Sequence, residues 1–128
     1  MPNWQPNWND VRWNWGTSDQ AREALYRMAD WLDDAANHRQ HLAQETLTQW
    51  EGGAAREFGE RARHAIAKLH ALAERCRRSA SALDRASQAA REDQARRQAE
   101  RARWYAERAE ELRDLANDAW HTVSGRRP

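Results

Sequence analysis

Leu25, Met28, Leu32, Ala35, Leu42 and Thr46 recur at steps of three and four residues toward Trp50. After an interruption, Ala55, Phe58, Ala62, Ile66, Leu69, Ala73, Cys76, Ala80 and Leu83 form a second series of the same kind. Such spacing places each series along one face of a helix, with polar residues between them. The interruption runs from Gln49 to Phe58 and holds two adjacent glycines, Gly52 and Gly53. A glycine just past the last periodic residue can turn left-handed at no Cβ cost and end a helix. The pattern therefore predicts an all-α antiparallel helical hairpin that reverses at Trp50-Glu51-Gly52.

The boundaries follow from local chemistry. Thr17 followed by Gln20 reads as a capping box, with Asp19 in the favourable first turn, so the first helix is expected from Thr17 to about Trp50. The second starts near Ala54 and has no Gly or Pro from His64 to Ser124, with Gly125 as a natural stop. Unbroken to about Trp120, it would span on the order of 100 Å at 1.5 Å per residue. The serines at 79, 81 and 87 mark its weakest place. These limits divide the chain into an arm (1–16), a hairpin (17–85), and a charged helical extension with a tail (86–128).

The arm changes the picture most, because it carries a tandem Pro-Asn-Trp repeat and half of the protein's eight tryptophans. Pro and Asn at this density oppose a helix. That much indole surface is expected to dock rather than stand in water. Beyond the reach of helix 1, the second helix is rich in Ala and charge until Tyr105, Leu112, Leu115 and Ala119 restore an apolar stripe beside Trp104 and Trp120. Some 15 extended residues and the uncovered part of helix 2 both measure roughly 50 Å. Trp4, Trp8, Trp13 and Trp15 are accordingly expected along the distal half of helix 2, the outermost nearest Trp104 and Tyr105, in a rod-like molecule. An external partner for the arm is the other option.

Among 128 residues the apolar positions are mostly alanine, so one hairpin buries little area and is marginal by itself. This motivates a partner, identical or different, and a four-helix-bundle dimer. Leu25, Met28, Leu32, Leu42, Phe58, Ile66, Leu69 and Leu83 are the expected interface residues. Residues 19–51 carry a net charge of −4 and residues 56–85 a net charge of +4, which favours antiparallel pairing of the two helices. The overall net charge is only +1, which argues against the sustained electrostatic attraction that non-specific nucleic-acid binding relies on. The lone Cys76 lies in the apolar series and reads as a packing residue. No apolar run is long enough to cross a bilayer, and the N-terminus lacks the parts of a secretory signal peptide.

A helix ending in Trp50-Glu51-Gly52, followed by one carrying Ala54-Ala55 and Phe58, resembles the WXG family of helical hairpins handled by type VII (ESX) secretion systems of Gram-positive, actinobacterial-like hosts. Trp50 and Gly52 match the hallmark, Ala55 and Phe58 match its continuation, and the resemblance covers residues 17–85. It implies a non-enzymatic secreted substrate, or the dimerisation partner or adaptor of one. It implies pairing as a homodimer or as a heterodimer with another WXG-like protein, with a secretion ATPase or an associated toxin as further partners. It also implies a cytoplasmic stage followed by leaderless export to the medium or cell envelope, without membrane insertion. The family's Tyr-x-x-x-Asp/Glu export signal is not matched after the hairpin, since Ala109 stands four residues past Tyr105. Tyr26 and Asp30 fit the spacing but lie inside helix 1, so a dimer partner would supply the signal. The alternative reading is a cytoplasmic regulator or antitoxin-like protein that binds nucleic acid or a partner through its Arg-rich second helix.

Candidate chemistry adds little. His38, His41 and Glu45 share one helical face, but a metal site would need a ligand from another element and none is evident. No nucleophile elbow, phosphate-binding glycine loop or Cys-x-x-Cys occurs. The expectation is no enzyme, no metal and no cofactor.

Overall fold

The structure, a computed structural model, describes residues 3–125. Two α-helices account for nearly all of it: α1, Trp15–Thr48, and α2, Gly53–Gly125. The described residues divide into two compact units, residues 14–87 and the pairing of residues 3–13 with 88–125.

The first unit is the hairpin. Its α1 starts two residues earlier than the Thr17 capping box predicts, because Asn14 is the cap: its side chain accepts from the Thr17 backbone N–H at 3.0 Å. Thr17 thus lies inside the first turn. The helix ends at Thr48, with Gln49 as C-cap, two residues short of Trp50. Gly52 has a φ of 104°, the one left-handed backbone among the described residues. It does not end α1 directly, as the pattern implied. It ends the connecting turn instead, and its carbonyl accepts from Arg56 N at 3.1 Å as α2 begins.

Where the helices meet, the buried residues are mostly alanines. Ala29, Ala36 and Ala43 on α1 stand seven apart, as do Ala73 and Ala80 on α2, and all are buried. Leu32 joins Ala29 and Ala73 in the core, with Leu69 and Cys76 packed against them. On α2 two interleaved seven-residue series, Gly59-Ile66-Ala73-Ala80-Ser87 and Ala55-Ala62-Leu69-Cys76-Leu83, form a coiled-coil seam. Small side chains let two helix axes approach closely, but each buries little area. Met28 and Leu42 lie beside this seam and are exposed, while Ala29, Ala36 and Ala43 take the interior.

Charge supports the pairing. Arg22 Nη1 donates to Asp84 at 2.9 Å, which raises the guanidinium pKa. Asp33 accepts from Arg77 and lies 2.8 Å from His70 Nδ1. The hydrogen bond from Arg77, followed by that from His70, holds the Asp33 carboxyl below its ordinary range and raises Arg77 in turn. Each pair joins an acid to a base across the seam, mostly α1 acids to α2 bases.

In the second unit, residues 3–13 are extended, with a bend at Asn9, and lie against α2 from Ala90 onward. Through the serines at 79, 81 and 87, α2 remains unbroken, and Ser87 is buried. No described helix is long and apolar enough to cross a membrane.

Candidate interaction surfaces

Two surfaces invite a functional reading, one in each unit. On the hairpin, Met28, Trp31, Ala35 and Leu42 share an edge of α1 at three-, four- and seven-residue steps, and Phe58, Ala62, Ala65 and Leu72 share an edge of α2. The two edges meet in a shallow cleft of about 280 Å³ lined by Leu42, Ala43, Thr46, Phe58, Ala62, Ala65 and Arg39. Trp31 is 67% exposed and Met28 54%, large values for such side chains. The expected interface residues therefore divide. Met28, Leu42 and Phe58 are exposed on this face, Leu32 and Leu69 belong to the hairpin's own core, and Leu25, Ile66 and Leu83 are half-buried. Trp31 and Leu72 were absent from the expectation, although their spacing from Met28 and Leu69 could have found them.

At the turn, the rings of Trp50 and Phe58 pack with centroids 5.7 Å apart. They sit near a second cleft of about 400 Å³ lined by Trp50, Glu51, Gly52, Ala55 and Gly59. Gly53 is the first residue of α2, open on the side where a Cβ would stand. Among the described residues no group of three His, Cys, Asp or Glu side chains is placed to hold a metal ion. His41 pairs with Glu45 at 3.1 Å and His38 is exposed.

The arm unit is more highly built. Arg101 donates from Nε to the Asn7 carbonyl at 2.9 Å, from Nη2 to the Asn9 carbonyl at 2.8 Å and from Nη1 to Asp10 at 2.9 Å. One turn earlier, Arg97 donates to the Asn9 carbonyl at 3.0 Å. Gln94 accepts from Val11 N and donates to Asp10, at 2.8 and 2.9 Å. Bonds from Gln94 and Arg101 hold the Asp10 carboxyl below its ordinary range. These bonds supply partners that extended backbone otherwise lacks outside a sheet. Nothing in composition could have identified Gln94, Arg97 and Arg101, because Arg is abundant throughout α2.

Between these anchors the rings pack. Trp4 donates to Glu107 at 2.9 Å, and the Arg103 guanidinium lies 4.3 Å from its ring centroid. Pro6 is buried. Trp8 packs edge-on against Trp104 and Tyr105, with centroids 5.3 and 5.7 Å away. The ring on Trp104 and Tyr105 is thus that of Trp8 and not that of the outermost Trp4, because Trp4 reaches one turn further to Glu107. Trp13 is half-buried at the end of the arm. Trp15, expected in the arm, is the first residue of α1, since Asn14 caps that helix.

No protein-family model matches the chain, and no curated protein or solved structure matches it.

Proposed function

We propose that the protein is a non-enzymatic pairing protein of the WXG type, a substrate or an adaptor in a type VII secretion system, whose hairpin associates with a second hairpin. The observation that carries this reading is the exposed apolar face of Met28, Trp31, Leu42, Phe58 and Leu72, on a hairpin whose own core is mostly alanine. A seam of small residues leaves the hairpin short of buried area, and the larger side chains beside it are placed to supply more on association. The turn adds support: Trp50 and Gly52 stand at a hairpin reversal, with Phe58 against the indole.

Sedimentation of the purified chain, alone and with a co-expressed neighbouring small helical protein, tests pairing. Met28→Asp with Leu42→Asp should abolish it, since both replace exposed apolar side chains and leave the alanine seam intact. A concentration-independent monomer in both preparations would refute the pairing. The secretion role predicts that the protein leaves its native host only while the membrane ATPase of the type VII system is present. Retention in the cell with the ATPase intact, together with DNA binding that weakens steeply with salt, would favour the regulator instead.

A further inference from the structure

Past the arm, the face of α2 that the arm occupies turns apolar and loses its cover. Gln94, Arg97, Arg101 and Trp104 bear the arm as far as Trp4 at Glu107. At the same three- and four-residue steps that face continues through Arg108, Leu112, Leu115, Ala119 and Val123. Leu112, Leu115, Trp120 and Val123 are all more than half exposed, Leu115 at 65%. Where cover stops, Trp8, Trp104, Tyr105, Arg108, Ala109 and Leu112 line an open cleft of about 600 Å³. Together they form a band of large apolar side chains on a rigid helix, beginning at an aromatic step.

Charge decides what fits there. Residues 104–125 carry five acids, Glu107, Glu110, Glu111, Asp114 and Asp118, against two arginines, Arg108 and Arg113. The earlier part of α2, over residues 56–85, has the opposite balance. Helical spacing puts Glu111 and Asp118 along one edge of the stripe, with Glu107 and Asp114 behind them. The other edge is Ala109, Ala116 and Trp120, with Arg113 behind. A second copy packed antiparallel on this stripe would bring its acidic edge against the same acidic edge, which is unfavourable.

We propose that this stripe docks an amphipathic helix of a different protein, one whose apolar face is bordered by Lys or Arg. Its apolar side chains cover Leu112, Leu115 and Val123, with one entering the cleft beside Trp8 and Tyr105. Its basic border lies along Glu111 and Asp118. The acidic edge sets the orientation and disfavours antiparallel self-pairing, and the leucines and Trp120 supply the buried area. This surface is separate from the hairpin face, so the proposal does not rest on hairpin pairing.

The test uses the full chain and two synthetic helical peptides with the same leucine stripe, one bordered by lysines and one by glutamates. Titration followed by tryptophan fluorescence should show binding of the lysine peptide, weakening as salt rises, and at least about tenfold weaker binding of the glutamate peptide. Leu112→Glu with Leu115→Glu should weaken lysine-peptide binding by at least about tenfold, while Met28→Asp on the hairpin leaves it unchanged. Glu111→Lys with Asp118→Lys should reverse the preference between the peptides. Equal binding of both peptides, or no binding of the lysine peptide at about 100 μM, would overturn the proposal. So would self-association of the chain that the leucine substitutions abolish, because the occupant would then be a second copy.

Discussion

Replacing Gly52 isolates backbone strain from every other effect. Its φ is 104°, and a Cβ built there meets no atom within 4 Å, so a larger residue would suffer no clash. The whole cost is conformational, about 1–2 kcal/mol for Ala and more for a β-branched residue. In a hairpin of this size, 1 kcal/mol moves the melting temperature by about 4–8 °C. Gly52→Ala should therefore lower it by about 4–16 °C. Two other glycines serve as controls with different signs. Gly53 is equally open but does not have a positive φ, so Gly53→Ala should be neutral or slightly stabilising. Gly59 is inside α2, and an added methyl would stand 3.4 Å from Leu47 Cδ1, in ordinary contact. Gly59→Ala should raise stability by up to about 1 kcal/mol through helix propensity. Melting curves of the three variants by far-ultraviolet circular dichroism give the order Gly59→Ala, Gly53→Ala, wild type, Gly52→Ala. If Gly52→Ala melts with the wild type, the turn carries no strain barrier and the account of the reversal is wrong.

The arm offers a comparison between two indoles. Trp4→Phe removes the N–H bond to the Glu107 carboxylate and should weaken arm docking by about 1–2 kcal/mol, whereas Trp104→Phe removes a buried N–H that has no hydrogen-bond partner among the described residues and should cost less. Hydrogen exchange over residues 94–107 reads both, and the opposite ranking would contradict the geometry. Asp33 supplies a pH dependence. Because Arg77 and then His70 lower its folded pKa from the ordinary 3.8, its stabilising effect is complete above that value and disappears as the pH falls through the lower folded pKa. Asp33→Asn should thus be less stable to urea than the wild type near pH 7, the gap closing as the pH falls below the ordinary carboxylate range, and a gap independent of pH would uncouple Asp33 from Arg77.

Much of this architecture was legible in the chain, for reasons that differ from element to element. Two periodic series around a glycine pair predict a hairpin with a long second helix, and the opposite charges on its two halves reappear as Asp33 with Arg77 and His70, while Arg22 with Asp84 pairs in the reverse sense. The hairpin's own core was not told apart from the expected interface: Leu32 and Leu69 belong to it, and the close approach of two helices selects the smallest residues, so Ala29, Ala36 and Ala43 take the seam. The seven-residue recurrence of those alanines was the available signal. Capping was misread for a related reason: Asn14 and Thr17 are both good caps, and only the coordinates distinguish them. The arm's tryptophans point to docking, but part of its hold on α2 goes through the main chain of Asn7, Asn9 and Val11, which side-chain identity does not encode.

That hold makes the arm a vernier. Asn7, Asn9 and Val11 are read at intervals of two extended residues, about 6.6 Å. The side chains that read them, Arg101, Arg97 and Gln94, are three or four residues apart on a helix, about 4.5–6 Å. The two scales nearly coincide, so successive readings fall into step over a few turns without a sheet to set the register. Because Arg97 and Arg101 grip the carbonyls of Asn7 and Asn9, those two side chains can vary without removing the grip, whereas Trp4, Trp8 and Asp10 are held by their side chains. The arm's length cannot vary: one residue inserted between Trp4 and Asn9 would turn Trp4 away from Glu107 while leaving composition almost untouched. Selection on such an arm acts on residue count, and related chains would be expected to keep the spacing from Trp4 to Val11 while exchanging the asparagines between them.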